Sequence, residues 1–512
     1  MGARAGAGGC ANHLPRCVAG GSSHKLKGSR ICVTKRIEYK YIVAVVVVFG
    51  LFMELLDMTI VNVAIPGLAR EFGASATSIE WVITGYLLAL AAFIPISAWS
   101  GSRFGTKRSF VFALATFTLG SLLCATAWNS ESLIAFRILQ GMGGGMAAPV
   151  GTTLLFHAFP PEERSRASAL LAVPASVAPA SGPVLGGYLV EYQSWEWIFL
   201  INVPIGVVGT LAAIFLLREY REEDARRLDL PGFVLSATGL ASLLYGLAEA
   251  GQHGFDDRNV LLFGLGGLAL LALFVVVELR TRQPLIDVRI FRNRLFSACA
   301  GVQMAGMAGF AGALFLLPIF LQIQQGLSPF ESGLATFPQA LGVLMLAPLT
   351  ARLYPRIGPQ RLMLAGAVGG SLTTFVFMRM DMETTAWWVR GVMLARGMTF
   401  ALMLVPLQTA TFATITSAKL GEASALFNIV RQVASSLGVA LLATVLTNRL
   451  IAHHAMLGNP RTSDGAVMAF QDAFLVAGGL ALLGIVAALF ISDREAAPTM
   501  RRAADAEPAI IH

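Results

Sequence analysis

The chain has 512 residues, of which 55% are hydrophobic and only 13% are charged, and its mean hydropathy is +0.68. Soluble globular proteins carry about 25% charged residues, so the composition excludes that class and predicts an all-α polytopic membrane protein. The formal net charge of +8 comes from short basic clusters between apolar runs. This distribution argues against a surface for nucleic acid.

Residues 1–40 form a basic segment rich in glycine and alanine, for which we predict a disordered tail. The apolar run that follows is too long for the core of a cleaved signal peptide, and it contains acids. The five cysteines suggest no disulfide framework. Cys10, His13 and Cys17 lie at irregular spacing, so we predict no metal site and no other cofactor.

Fourteen apolar runs follow, each long enough for a transmembrane helix, which needs about 20 residues. The connections between them leave no room for a soluble catalytic module, so we do not expect an enzyme. The predicted spans are 41–66, 78–100, 109–128, 132–156, 166–190, 197–217, 231–249, 259–279, 296–322, 331–351, 361–380, 387–412, 422–447 and 470–491.

The loops between these runs alternate in charge. Loops after even-numbered spans carry 18 lysines and arginines, whereas loops after odd-numbered spans carry five. The positive-inside rule therefore places the basic loops in the cytoplasm. Because the number of spans is even, both termini are predicted to be cytoplasmic as well.

An internal repeat relates two of the basic loops. "SAWSGSRFGTKRSF" after the second run and "TARLYPRIGPQRLM" after the tenth share the pattern Arg-x-Gly-x-x-Arg at an offset of 253 residues. Corresponding loops indicate two six-helix bundles with a two-helix insert between them. The predicted domains are the tail 1–40, the bundle 41–217, the insert with its loops 218–295, the bundle 296–491 and the tail 492–512.

Seven motifs then point to a family. They are "LDMTIVNVAIP" (56–66), "WVITGYLLALAAFIP" (81–95), "FRILQGMGGGMAAP" (136–149), "APASGPVLGG" (178–187), "WEWIFLINVPIG" (195–206), "LPIFLQIQQGLSPFESGL" (317–334) and "ALFNIVRQVASSLGVALL" (425–442). Their content and order resemble the fourteen-span drug:proton antiporter branch of the Major Facilitator Superfamily. The resemblance implies the major facilitator fold in the cell membrane. It also implies a proton-coupled secondary transporter that exports hydrophobic or cationic small molecules by alternating access.

One loop departs from the family pattern. After the second span the family has a glycine and, four residues later, an aspartate that helps to clamp the two halves at the cytoplasmic face. Ala98 and Ser102 occupy those places. We therefore expect a weaker clamp and a resting state open to the inside, which Ser102→Asp should shift outward. The cytoplasmic gate residues that remain are Arg103, Gly105, Lys107 and Arg108.

Charged residues within the apolar runs are candidates for function, because a charge at the centre of a transmembrane helix costs about 2.5–3.5 kcal/mol on insertion scales. Asp57 and Arg137 lie at compatible depths, and we predict that Asp57 binds protons with Arg137 as its partner. The alternative is a purely structural ion pair. Glu54, one turn before Asp57, shares its helix face and either binds protons, attracts cationic compounds or is a tolerated polar group.

Two further groups of residues are candidates. Gln140, Arg396 and Arg431 are predicted to line the substrate cavity, with a structural charge as the alternative for the two arginines. The fifth run combines prolines, which kink a helix, with glycines, which let helices approach closely. We predict that it seals the exterior side, unless it reflects ordinary small-residue packing. The residues of this antiporter motif are Pro179, Gly182, Pro183, Gly186 and Gly187.

The same residues bear on other classes of function. "GMGGGMAAP" (141–149) lies inside an apolar run and lacks the Gly-Lys-Ser/Thr ending of a phosphate loop, so nucleotide binding is not predicted. An exporter with the same fold could carry a specific metabolite, lipid or siderophore. A channel or membrane sensor without coupled transport is the remaining class, and Asp57 and Arg137 argue against it.

Overall fold

The computed structural model describes residues 38–73, 76–221, 227–459 and 462–500. Within these ranges the regular structure is helical and includes no strand. The predicted tails lie largely outside them. Cys10, His13 and Cys17 lie outside the described residues altogether.

Fourteen long helices in the described part of the chain are apolar enough to cross a bilayer, which confirms the predicted number of spans. The main helices of these spans are α1 (Tyr39–Glu71), α2 (Ala76–Phe104), α3 (Thr106–Ala125), α4 (Ser130–Ala158), α5 (Arg164–Tyr192), α6 (Asn202–Leu216), α7 (Leu230–His253), α8 (Arg258–Arg280), α9 (Arg294–Ile319), α10 (Pro338–Ile357), α11 (Pro359–Val376), α12 (Ala386–Thr411), α13 (Leu420–Ala452) and α14 (Ser463–Leu489).

Three spans contain a break that hydropathy does not reveal. A short helix, Trp197–Leu200, precedes α6, and another, Pro329–Thr336, precedes α10. The second break falls where Pro338 starts a new helix, because proline has no N–H to continue the hydrogen-bond ladder. The helix α9 continues past Pro318 into a π-helical turn, Phe320–Gln324.

The long helices pack into two groups. In the first group, α4 packs against α1, α2 and α3, α5 packs against α1, and α6 packs against α3. In the second group, α14 packs against α9 and α11, α12 packs against α10 and α11, and α13 packs against α9. The groups meet where α5 contacts α10 and α12, and where α2 and α4 contact α13. This is the two-bundle arrangement expected for the major facilitator fold.

The inserted helices α7 and α8 pack against each other at the side of the two groups. The inner helix α7 contacts α2 of the first group and α13 of the second. Thr444 on α13 donates a hydrogen bond of 2.8 Å to the Ala250 carbonyl on α7. The outer helix α8 is far more exposed, since only 17% of its most apolar stretch is buried in the protein. Within the insert, α7 therefore packs against both groups, and α8 lies at the periphery.

The two repeat-related loops have the same construction at the end of the molecule that carries the basic loops, called the basic end below. Gly105 between α2 and α3 and Gly358 between α10 and α11 have φ values of +99° and +90°, which favour glycine. Glu219 accepts a hydrogen bond of 2.9 Å from a backbone N–H in the first turn of α3. Asp493 does the same for α11 at 3.0 Å. In both groups an acid thus caps a helix N-terminus, where negative charge is favourable.

A polar link joins the segment after α8 to the start of α13. The Asp287 carboxylate lies 2.8 Å from the Lys419 ammonium, and the Asp287 N–H donates to Glu422 at 3.0 Å. Burial alone would raise the pKa of Asp287. Lys419 and the Arg289 backbone N–H outweigh burial and hold this pKa below its usual range. The link is therefore charged at neutral pH.

Candidate functional site

Asp57 is fully buried on α1 and has a donor on each carboxylate oxygen. Its Oδ2 accepts from Arg137 Nη1 on α4 at 2.5 Å. Its Oδ1 accepts from Gln140 Nε2 on α4 and from Asn202 Nδ2 on α6, both at 2.9 Å. The structure thus brings the two predicted residues Asp57 and Arg137 into a direct, buried ion pair.

A serine closes this arrangement from α3. The Ser121 hydroxyl accepts from Gln140 at 3.1 Å and from Asn202 at 3.3 Å, and it donates to the Phe199 carbonyl at 3.0 Å. Buried polar groups are costly unless they find such partners. The side chains named the buried polar network below are Asp57, Ser121, Arg137, Gln140 and Asn202.

Arg137 is also held by α2. Its Nε donates to the Val82 carbonyl at 3.2 Å, and its guanidinium carbon lies 4.0 Å from the centre of the Tyr86 ring. A planar, delocalised guanidinium suits both contacts, since it can donate in its plane and stack on an aromatic face. The Arg137 side chain on α4 thus connects this helix to both α1 and α2.

The glycine-rich motif 141–149 explains how α4 comes so close to α2. A Cβ on Gly141 would overlap the Tyr86 carbonyl, and one on Gly145 would overlap the Leu90 carbonyl. Small residues are what close helix packing in membranes requires. The glycines therefore serve the helix packing that brings α4 and its arginine to Asp57.

Glu54 has different surroundings from Asp57. It also lies on α1 and is 1% exposed, but it borders a cavity between the two groups of helices. Its Oε2 has no hydrogen-bond partner among the described residues. Glu54 is therefore available to a ligand, whereas the Asp57 carboxylate is already hydrogen-bonded within the buried polar network.

This central cavity has a volume of about 430 Å³ and is lined by α1, α2, α4, α5, α7, α9, α12 and α13. Most of its lining is apolar, and Phe310 and Phe400 stack on one side with ring centres 4.0 Å apart. The acidic, basic and amide side chains on its wall are Glu54, Gln303, Gln408, Asn428, Arg431 and Gln432. The cavity thus has a mainly apolar wall with a few charged and amide side chains.

The three residues predicted for the substrate cavity lie in three places. Arg431 borders the central cavity and donates from Nη2 to Asn428 Oδ1 at 3.0 Å. Gln140 belongs to the buried polar network instead. Arg396 donates to the Phe310 carbonyl at 3.1 Å and borders a separate cavity of about 30 Å³.

The predicted gate residues make contacts within the first group of helices. The side chains of Arg103 and Arg108 are exposed, and Arg108 Nε lies 3.8 Å from Glu219 Oε2. Ser102 donates to the Trp99 carbonyl at 2.9 Å. Glu422 of α13 borders the same small gap as Ser102. An aspartate introduced by Ser102→Asp would bring a second carboxylate to this gap. The outward shift expected for this substitution stays a prediction.

The two groups are joined directly at the basic end. Three hydrogen bonds connect them: Ser424 to the Pro149 carbonyl (2.9 Å), Thr409 to Ser168 (2.9 Å) and Arg164 to the Phe412 carbonyl (2.6 Å). A second cavity of about 380 Å³, the basic-end vestibule, is lined by Ser102, Thr153 and Gly421 among others. Contacts between α4 and α13 thus accompany closure at this end.

The antiporter motif on α5 faces several neighbours. Gly182 and Gly186 lie so close to α1 that a Cβ on either would crowd it, and Pro179 borders the central cavity. Pro183 lies beside the short helix that precedes α10, whereas Gly187 has open space around it. The motif therefore holds α5 against α1 and against the second group.

Sequence reasoning missed several residues that the structure brings to these sites. Asn202 and Ser121 complete the buried polar network, and Glu219 and Asp493 cap helices at the basic end. An asparagine in a strongly apolar span is a usable signal, because an unpaired amide there would be costly. The partners of the capping acids are more than 100 residues away, so their sequence carries no comparable signal.

Comparison with known proteins agrees with the fold. The family model of the Major Facilitator Superfamily matches residues 47–439. The "Uncharacterized MFS-type transporter YhcA" of Bacillus subtilis (strain 168) is 34% identical over 431 residues, covering 84% of this chain and 81% of its own. The "Multidrug resistance protein B homolog" of Mycobacterium tuberculosis (strain H37Rv) is 35% identical over 406 residues, covering 78% and 75%.

A solved structure shows the same fold at low identity. The crystal structure of the human organic anion transporter MFSD10 (TETRAN) aligns with a TM-score of 0.62 at 16% identity, covering 88% of this chain and 99% of its own. The chain therefore belongs to the Major Facilitator Superfamily, the family of transporters that its sequence motifs predict.

Proposed function

We propose that this transporter exports hydrophobic compounds, often cationic ones, in exchange for protons by alternating access. Asp57 carries the proton, Arg137 is its partner, and the central cavity holds the compound. The observation that carries the proposal is the Asp57–Arg137 ion pair, buried one helical turn from the cavity-facing Glu54. Intramembrane charges are costly and mark proton or substrate pathways.

Protonation gives this pair a way to act on the cavity. A proton on Asp57 neutralises its carboxylate and removes the ion pair. Arg137 then keeps Gln140, the Val82 carbonyl and the Tyr86 ring as partners. The contact between α1 and α4 changes, and both helices line the central cavity. Each inward proton supplies about 2.3 kcal/mol per 100 mV of membrane potential.

The cavity suits compounds of this class. Its volume of about 430 Å³ falls in the range of small-molecule sites, about 300–1,000 Å³. Met58 and Met307 on its wall are flexible side chains that adapt to different shapes. Glu54 offers a carboxylate to a cation. The relative named as a multidrug resistance protein supports the same class of cargo.

Transport in proteoliposomes under an imposed pH gradient tests the proposal, with cationic dyes, neutral antibiotics and lipids as a panel. We expect Asp57→Asn to abolish proton-driven transport while the protein still inserts into the membrane. Asp381→Asn, which changes an exposed acid in a loop, is the matched control and should transport normally. Undiminished proton-driven transport by the Asp57→Asn variant would contradict the proposed mechanism.

The same fold also fits an exporter of one metabolite, lipid or siderophore. The amides of Gln303, Gln408, Asn428 and Gln432 favour this alternative, because they can hydrogen-bond to a particular polar ligand. Transport of a single compound from the panel, with no transport of the dyes, would select it.

We also propose that the protein lies in the cell membrane with both termini and the basic end in the cytoplasm. The proposal includes the division of the chain into the bundles 41–217 and 296–491, the insert 218–295 and the short tails. Labelling of single cysteines in intact cells tests it. A cysteine at Ser130 should react with an impermeant maleimide added outside, and a cysteine at Ser417 should not.

A further inference from the structure

Two opposite charges border the central cavity without meeting. Glu54 lies on α1 of the first group, and Arg431 lies on α13 of the second. Glu54 Oε2 has no partner among the described residues, and the two side chains form no ion pair. The one hydrogen bond that the Arg431 side chain makes with described residues goes to Asn428. Both charged groups therefore remain open to a ligand.

We propose that the central cavity takes zwitterionic compounds, which carry an ammonium and a carboxylate on an apolar body. Glu54 binds the ammonium and Arg431 binds the carboxylate. This inference rests on the proposed function, since it names the class of cargo for the same cavity. It adds to that function the requirement for a negative group on the compound.

A charge left unpaired in an apolar site is costly. A compound with only a cation pairs with Glu54 but leaves Arg431 unsatisfied beside it. A compound with only an anion does the reverse. A zwitterion satisfies both, while Phe310, Phe400 and Met307 take up its apolar part.

The alternative is that the two residues merely neutralise each other. The buried polar network shows what a structural pair looks like in this protein. There Arg137 and Asp57 are in direct contact at 2.5 Å, and amides complete the coordination. Glu54 and Arg431 have no such contact, and both border a cavity large enough for a small molecule. Their arrangement fits a ligand between them.

Binding to three matched probes tests the inference. Nε-dansyl-lysine is a zwitterion, dansylcadaverine is the same molecule without its carboxylate, and dansylaminohexanoate is the same molecule without its ammonium. The full chain is purified in detergent and titrated at neutral pH with no proton gradient, with dansyl fluorescence as the readout. We expect the zwitterion to bind about tenfold or more tightly than either analogue, since each charged hydrogen bond contributes that much.

Variants assign each charge to its residue. Arg431→Gln should remove the preference for the zwitterion over the cation, and Arg431→Lys should largely restore it. Glu54→Gln should remove the preference for the zwitterion over the anion, and Glu54→Asp should restore part of it. Arg390→Gln, which changes an arginine that packs on Trp387 outside the central cavity, is the control and should leave both ratios unchanged.

Equal binding of the zwitterion and the cation by the unmodified protein would overturn the inference, as would a ratio that Arg431→Gln leaves intact. These outcomes do not depend on proton coupling, because no gradient is present. Selective binding without proton-driven transport would instead contradict the proposed function alone. Proton-driven transport of the cation with unselective binding would contradict only this inference.

Discussion

Asn202 shows how much a single amide contributes when it lies in an apolar helix. It donates to Asp57 and to Ser121, and it is fully buried on α6. Without it the Asp57 carboxylate would keep two of its three donors. A hydrogen bond to a charged group contributes about 1.5–3 kcal/mol, so the residue matters for stability as well as for the site.

We predict that Asn202→Leu, which keeps the side-chain volume, lowers the free energy of unfolding by about 1.5–3 kcal/mol. Reversible unfolding in mixed micelles measures the change. Thr210→Val is the matched control on the same helix, because the Thr210 hydroxyl has no hydrogen-bond partner among the described residues. It should leave stability unchanged or raise it slightly, because a buried hydroxyl without a partner is itself costly. Equal stability of the two variants would show that the Asn202 bonds contribute nothing.

At the scale of elements, the two capped helix starts are the clearest sign of internal symmetry. Gly105 and Gly358 adopt backbone angles that favour glycine, and each faces the acid that caps the following helix. A Cβ at either position would also overlap that acid, Glu219 or Asp493. The loop pattern in the sequence therefore has a structural cause in both groups.

We predict that Gly105→Ala and Gly358→Ala each destabilise the protein by about 1–3 kcal/mol, the usual cost of such backbone strain. Thermal unfolding of the purified variants measures it. Gly266→Ala is the control, because this glycine lies within α8 with open space around its Cα. Alanine there should stabilise the helix by about 0.5–1 kcal/mol. A similar effect at all three positions would contradict the strain argument.

Elements with strong local signals were predictable from the sequence, and contacts between distant elements were not. Fourteen spans follow from apolar runs, and the family follows from motifs such as "LDMTIVNVAIP". The Asp57–Arg137 pair was predictable because both charges are costly and lie at similar depth. The position of Gln140 was not, since side-chain direction on α4 depends on packing against α2 and α3. The break at Pro338 was hidden by continuous hydropathy.

At the scale of the whole molecule, closure at the basic end depends on few contacts between the two groups. The Ser424 hydroxyl donates to the Pro149 carbonyl, which joins α13 to α4. Pro149 also borders the basic-end vestibule, whereas Thr152, less than one turn later, borders the central cavity. This hydrogen bond therefore lies where the two cavities approach each other along α4.

We predict that Ser424→Ala raises the access of reagents to the central cavity from the basic end. A cysteine placed at Thr152 reports it, through its rate of reaction with a maleimide in inside-out vesicles, which we expect to rise several-fold. Ser435→Ala is the control on the same helix, since that hydroxyl bonds only within α13 among the described residues. An unchanged rate in Ser424→Ala would show that the bond does not hold this end closed.

The buried polar network draws all of its members from the first group of helices, on α1, α3, α4 and α6. The wall of the central cavity takes about half of its helices from the second group and the insert. Substitutions on α9, α12 or α13 can thus alter the wall without touching Asp57 or its donors. In evolutionary terms, the residues that we propose for proton exchange all lie in the first group, and of the two charges proposed to bind the cargo only Glu54 shares that group with them. A lineage can then acquire new cargoes by mutation in the second group while Asp57 and its donors stay intact.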